Sequence, residues 1–145
     1  MALPVVSQEQ IFIVIMNSSA INISKIESYL HGIMDNVVSD NTYVGTPPET
    51  IKESWQDMCV IDLGAAINDM DAYGKGVVLV WLYARPLANG AKNVAKMSEM
   101  ETKLNEVIES AHNSTYRLNR KATYTDYDSN RKWHCNIVEL NLTIV

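Results

Sequence analysis

After Gly76 the chain runs through eight apolar or aromatic residues in succession, Val77-Val78-Leu79-Val80-Trp81-Leu82-Tyr83-Ala84, and stops at Arg85-Pro86. β-Branched and aromatic side chains lead the run, with Gly-Lys-Gly before it and Pro after it, which marks a strand rather than a helix. It shows no polar alternation, so neither face of this strand is expected to meet water. A cover is needed on both sides, and helices, a partner subunit or both must supply it.

Residues 57–66 read as the strand before it. The polar turn Asn68-Asp69-Met70-Asp71-Ala72-Tyr73-Gly74 joins the two. That connection is too short for a helical crossover, so an antiparallel hairpin is predicted. A second strand pair is predicted over residues 115–127 and 132–145, turning at Asp128-Ser129-Asn130. In its last strand Trp133, Cys135 and Ile137 share one face, whereas Val138, Leu140, Leu142 and Ile144 share the other. This change of face predicts a bulge near Ile137 or a second kind of contact. The apolar end, Leu142-Thr143-Ile144-Val145, is expected to be tied into the sheet.

Three helices are predicted. The first covers about 8–17, where Ser7 and Gln10 have capping-box spacing, although a strand explains Ile11–Met16 equally well. The second is capped by Ser24 with Glu27, and Ile26, Tyr29, Leu30, Ile33, Met34 and Val37 form its apolar face. The third and longest covers about 93–113, with Val94, Met97, Leu104, Val107, Ile108 and Ala111 on its buried side and a Glu99–Lys103 pair on the other. Residues 39–52, with Asn41, Gly45 and Pro47-Pro48, read as an exposed loop or arm. The expected fold is thus one α+β domain over residues 1–145: N-terminal helices, an antiparallel sheet of two hairpins, and one long helix on one face.

A length of 145 residues, 47% hydrophobic and 20% charged, suits one folded domain. No apolar run approaches the roughly 20 residues that span a bilayer. Ile11–Met16 follows Gln8-Glu9-Gln10 rather than a basic flank, so a cytosolic protein without a signal peptide is expected. Cys59 and Cys135 match no metal or redox spacing and are expected to be reduced, buried thiols. Motifs that carry chemistry are lacking. Asp69-Met70-Asp71-Ala72-Tyr73-Gly74 opens like a calcium loop, but Val80 stands where the bidentate carboxylate is required. Asp126–Asn130 fails in the same way, with Ile137 at that position. Gly74-Lys75-Gly76 lacks the rest of a phosphate loop, and His31, His112 and His134 share no ligand spacing. No cofactor, metal or catalytic residue is expected, and the chain reads as a non-enzyme.

The formal charge of −5 hides an asymmetry. Residues 1–74 hold two bases against ten acids, a balance of −8; residues 75–145 hold ten bases against seven acids, a balance of +3. The two halves either neutralise each other within one molecule or meet between neighbours packed head to tail. The contact candidates are Arg117, Arg120, Lys121, Arg131 and Lys132 on the basic side and Glu49, Glu53, Asp69 and Asp71 on the acidic side. The basic group, interleaved with Tyr116, Tyr124 and Trp133, also offers a nucleic-acid patch. Overall acidity and the nearby Asp126 and Asp128 favour a solvated or subunit-facing hairpin instead.

Helices first, then a hairpin of 59–66 with 77–84, a helix after the Arg-Pro stop, and a final hairpin ending Asn141-Leu142-Thr143-Ile144-Val145: this order resembles the tail-terminator and tail-completion proteins of tailed bacteriophages. More broadly it resembles the rings at phage head–tail junctions, including those of podovirus-like tails. The likeness spans about residues 8–145 and lies in the order and texture of elements. It implies a structural virion protein that forms a homo-oligomeric ring between portal or adaptor and tail, with double-stranded DNA passing through without sequence-specific contact. It implies assembly in the host cytoplasm and residence in the virion. Two other classes fit the residues: a small homodimeric α+β ligand-binding protein or enzyme, and a regulatory interaction module.

Overall fold

In the computed structural model, which describes residues 21–64, 67–69, 73–113 and 115–145, the 77–84 run forms the middle of a mixed sheet. The elements are α1 (Ile23–Met34), β1 (Thr42–Val44), β2 (Asp57–Leu63), β3 (Asn68–Asp69), β4 (Gly74–Ala84), α2 (Val94–Ser110), β5 (Tyr116–Asp128) and β6 (Trp133–Ile144). The helix expected at 8–17 lies outside the described residues. Strand order is β1-β2-β4-β6-β5, with β3 paired to the start of β4. The fold is α+β.

Both predicted strand pairs are present, but the first strand ends at Leu63 rather than at 66, and Asn68–Asp69 of the expected turn instead forms β3, paired with Lys75 and Gly74. β2 runs antiparallel to β4 from Asp57↔Ala84 to Leu63↔Val78, and β5 runs antiparallel to β6 from Tyr116↔Ile144 to Asp128↔Trp133. The long central run thus has a neighbour on each side, since β4 also pairs with β6 from Gly74↔Ile144 to Ala84↔His134. That pairing is unbroken, so the bulge expected near Ile137 is not there. The register shift falls in β5, between Arg120 and Ala122. β6 needs no bulge because both of its faces are used. Val138, Leu140, Leu142 and Ile144 join the helix-side core, whereas Trp133 and Cys135 join a second cluster on the opposite face.

The cap of helix α1 lies two residues before the expected one. Asn22, not Ser24, is the N-cap, and its Oδ1 accepts from the Lys25 N–H at 3.0 Å. Asn and Ser cap about equally well, but only Asn22 puts Ile21 at N′ and Ile26 at N4, the spacing of a hydrophobic staple. Both residues join the helix-side core. The helix also stops earlier than expected. Asn36 turns to a positive φ of 60°, which leaves Val37 46% exposed and lets Val38 take the buried place. In α2 the Asn93 cap bonds the Lys96 N–H at 3.1 Å, and Met97, Met100, Leu104, Val107 and Ile108 are buried. Val94, expected on the buried side, is 65% exposed; at about 100° per residue it stands roughly 90° around the helix from the buried residues. The Glu99–Lys103 pair forms at 3.0 Å.

The stretch 39–52 is not wholly an exposed loop or arm. Thr42–Val44 adds a parallel edge strand to β2, pairing Thr42 with Cys59. Its polar residues fooled the pattern because they are satisfied internally. Ser39 Oγ donates to Asp57 Oδ1 at 2.5 Å, Thr42 Oγ1 donates to the Ser39 carbonyl at 2.8 Å, and Asn41 Nδ2 donates to the Asp57 carbonyl at 3.1 Å. Lys96, 2.9 Å from the same Asp57, fastens α2 to this corner.

Both cysteines are free and buried, Cys59 on the helix side and Cys135 on the other. Burial, with Asp57 and Asp35 adding to it, pushes the Cys59 thiol up to about 12; burial, with Asp126 and Asp128, pushes Cys135 up to about 11. Thiolate is the reactive form. Neither cysteine is expected to react with a thiol reagent at pH 8 in the folded protein, and both are expected to react once it is unfolded. Counting modified thiols with and without denaturant checks this.

Candidate assembly surface

Side chains of a strand alternate between faces, and the two faces of this sheet are treated differently. The helix face is closed at its centre and left open along the second half of β5, where Thr123, Thr125 and Tyr127 are exposed. Val78, Val80, Leu82, Leu118, Leu140, Leu142 and Ile144 are all at most 1% exposed beneath Ile26, Leu30, Met34, Met97, Met100 and Leu104. The outer face is closed only in part. At one end Met58, Val60, Tyr83, Trp133 and Cys135 are buried under Ile51 and Trp55, which come from the chain between β1 and β2.

Arg85 holds that covering segment down. Its Nε donates to the Trp55 carbonyl at 2.7 Å, its Nη2 donates to the Lys52 carbonyl at 3.0 Å, and its guanidinium lies 4.9 Å from the Trp133 ring centroid. Tyr43 meets Trp55 at 5.9 Å to complete the cover. In the sequence Arg85 reads only as the end of a strand, because nothing local signals that its donors serve a segment some 30 residues earlier. The Arg85→Ala variant loses two charge-assisted hydrogen bonds at roughly 1.5–3 kcal/mol each before relaxation. We expect it to lose about 2 kcal/mol of stability, and proteolysis to begin within residues 45–56. Denaturant titration and mapping of the first cleavage site check both.

Toward the centre of the outer face the cover from the described residues thins: Trp81 and Ile137 pack against that cluster but are only partly buried. Val77, Leu79 and Trp81 of β4 and Ile137 of β6 are only half-buried, and Tyr124 of β5 beside Ile137 is 51% exposed. Register places Asp62 and Glu139 on either side of Leu79. An apolar stripe therefore lies open between the 45–56 segment and β5, rimmed by charges. Among the described residues, this is where the demand for two covers, read from 77–84, is least fully met.

The charged candidates fall into groups. Arg117, Arg120 and Lys121 stand exposed on the edge strand β5. Lys121 Nζ is 3.9 Å from Glu139, and Arg120 donates to Asn105 of α2 and to Thr123 Oγ1. Arg131 and Lys132 lie instead at the β5–β6 turn, some 25 Å away at about 3.4 Å per residue, so the five bases do not form one patch. Arg131 is engaged by its own turn, 3.0 Å from Asp128. Burial works to raise the Asp128 carboxyl, but the Arg131 N–H, the Arg131 guanidinium and the Asn130 N–H outweigh it and hold the group below its ordinary value. Lys132, at a φ of 60°, is exposed. Glu49 and Glu53 are exposed on the 45–56 segment that borders the stripe. Asp69 belongs to β3, whose backbone pairs with Gly74, and Asp71 lies outside the described residues.

Other chemistry finds little to build on. Among the described residues no three of His, Cys, Asp and Glu come together in a way that would hold a metal ion. An open groove of about 450 Å³ lies between Tyr29, Ile33 and Val37 of the α1 end and Glu106, Val107 and Ser110 of α2. Its neighbouring imidazole, His112, is already 3.0 Å from the Leu118 carbonyl. Among the described residues no helix is long and apolar enough to cross a membrane. Comparison with known protein families and with curated proteins finds no match.

Proposed function

We propose that this chain is a structural subunit that assembles with copies of itself into a closed ring at the head–tail junction of a tailed bacteriophage. Portal or adaptor and tail proteins are its axial neighbours, and double-stranded DNA passes through its centre. The observation that carries the assembly reading is the half-buried stripe of Val77, Leu79, Trp81 and Ile137 in the middle of a sheet whose opposite face is closed at its centre by the two helices. An apolar patch at the centre of a sheet, rimmed by charge, has the make-up of a protein contact surface. The placement at the phage junction rests on the resemblance in element order. DNA contact in such a channel is electrostatic and indifferent to sequence, since phosphate contacts position and do not specify.

Two images test the proposal. Negative-stain electron microscopy of the purified chain should show rings with a central opening, and gold directed at an epitope tag on the chain should mark the head–tail junction of tailed particles. Particles that lack the chain altogether would overturn the assignment to the virion, whatever the purified chain does.

A further inference from the structure

In an antiparallel ladder alternate residues turn N–H and C=O toward the partner strand, and those between turn them away. Along β5 the groups turned away from β6 meet two different fates. In the first half the chain caps them itself. Asn113 Oδ1 accepts the Tyr116 N–H at 2.7 Å, the Asn113 N–H donates to the Tyr116 carbonyl at 3.1 Å, and His112 Nε2 lies 3.0 Å from the Leu118 carbonyl. The extra residue between Arg120 and Ala122 then moves the outward set by one place, to Thr123, Thr125 and Tyr127. Asp126 Oδ1 takes the Tyr127 N–H at 2.8 Å. Among the described residues nothing bonds the outward N–H or C=O of Thr123 or Thr125. Their hydroxyls accept from Arg120 and Lys92 and do not turn back on this edge. Folded chains blunt a free edge with charge, proline, a bulge or a cover. Residues 123–127, Thr-Tyr-Thr-Asp-Tyr, are all exposed strand formers with no proline and one charge.

We infer that this window pairs antiparallel with the same window of a second copy, across a two-fold axis at Tyr124. The free groups set the register. With Tyr124 opposite its own counterpart, Thr123 of each copy faces Thr125 of the other and exchanges N–H and C=O with it. The open groups are then used, and the capped ones are not called on. Charge sets the direction. β5 carries Arg117, Arg120 and Lys121 ahead of the window, and Asp126 and Asp128 follow at its far end. Antiparallel pairing puts Asp126 opposite Ala122 of the second copy, beside that copy's Lys121, and keeps the two Asp126 carboxylates roughly 14 Å apart along the strand. Parallel pairing in register would set Lys121 against Lys121 and Asp126 against Asp126, which like charge opposes. The opposite edge of the sheet, β1, offers only three residues as an alternative partner. Such a contact is isologous. It uses an edge and leaves the outer face alone, so it goes beyond the assembly reading and does not depend on it. It is also small. Pairs form at concentrations well above those at which the outer face assembles, or between copies that assembly already holds close.

Cysteine trapping on the full chain tests this. A non-hydrogen-bonded antiparallel pair brings Cα atoms to about 4.5 Å, inside the roughly 4.4–6.8 Å that a disulfide spans. Both native cysteines are buried and stay out of the reaction. In oxidised glutathione Tyr124→Cys should link copy to copy at least about tenfold faster than Arg117→Cys, since pairing gives its thiol a high effective concentration. Arg117 is exposed on the same strand, and the pairing keeps it far from its counterpart. Adding Thr125→Pro to Tyr124→Cys removes an N–H that the single chain does not use, and proline is tolerated on an edge. Linking should then fall to the Arg117→Cys rate, with thermal unfolding confirming the fold. In the unmodified chain, exchange of the Thr123 and Thr125 amide hydrogens should slow as concentration rises. The inference is overturned if Tyr124→Cys links no faster than Arg117→Cys, or if a folded Thr125→Pro variant links just as fast. It is overturned too if those amides are equally protected at every dilution, which would mean that the chain's own residues occupy the edge. Rings that form while Tyr124→Cys stays unlinked leave the assembly reading standing and remove this inference alone. Linked pairs from a chain that never exceeds two copies do the reverse.

Discussion

Leu79→Lys is expected to leave the chain folded and to keep it as single molecules at concentrations where the unmodified protein is assembled. The two outcomes separate because Leu79 is only half-buried within one chain. Its cross-strand neighbours on the outer face are Asp62 and Glu139, so a lysine there gains the Asp62 carboxylate, and a share of Glu139 beside Lys121, for the apolar surface it gives up. A partly exposed pair of this kind contributes about 0.2–1 kcal/mol, enough to hold the unfolding temperature within a few degrees. At an interface the same change forfeits the burial of a leucine, about 1.5–3 kcal/mol, and forces a cation into the middle of the contact. The combined loss should raise the concentration at half-assembly at least about 100-fold, since each 1.4 kcal/mol is tenfold. Sedimentation velocity over a concentration series reads the mass and thermal unfolding reads the fold. A Leu79→Lys protein that assembles normally would mean that the stripe plays no part in association.

On the opposite face the expected result is reversed. Leu140 is 0% exposed, paired in register with Val78 on β4 and opposite Arg120 at the β5 bulge. It lies in the core that α1 and α2 seal. Leu140→Ala removes buried carbons and leaves a hole that neighbours held by two strand ladders fill poorly, at a cost of about 2–5 kcal/mol. For a chain of this size that corresponds to a fall of roughly 5–15 °C in unfolding temperature. Residual folded protein should still associate at low temperature, because the outer face is untouched. A loss under about 1 kcal/mol in denaturant titration would show that the helix face is less closely packed than its burial implies.

The contrast between these two leucines explains how much could be read from the sequence. The 77–84 run announced a central strand because its composition is extreme, and the two hairpins followed from turn residues between apolar segments. Helix α2 was legible from its spacing, yet Val94 misled because an apolar residue at the margin of the arc was counted with the buried side. Ser24 and Asn22 are equivalent as local signals, and tertiary placement of Ile21 and Ile26 decided between them. Strand β1 was missed because Ser39, Asn41 and Thr42 look like loop residues until Asp57 is placed beside them. For β6 either a bulge or a second kind of contact was expected, since a change of apolar face fits both. The change reflects two covers, helices over one face and Ile51 with Trp55 over part of the other. For the candidate surface, the sequence announced that both faces of β4 need covering. The open part of the outer face, and the division of the five bases between β5 and its turn, depend on strand order and register.

Hydroxyl-radical footprinting across a protein concentration series reads the state of the outer face directly. Trp81 should be oxidised readily in dilute protein and become protected as the mass rises, while Trp133, 4% exposed within one chain, stays protected throughout. Trp81 oxidised equally at every concentration, in a protein whose mass never exceeds one chain, would contradict the claim that neighbouring copies complete this fold.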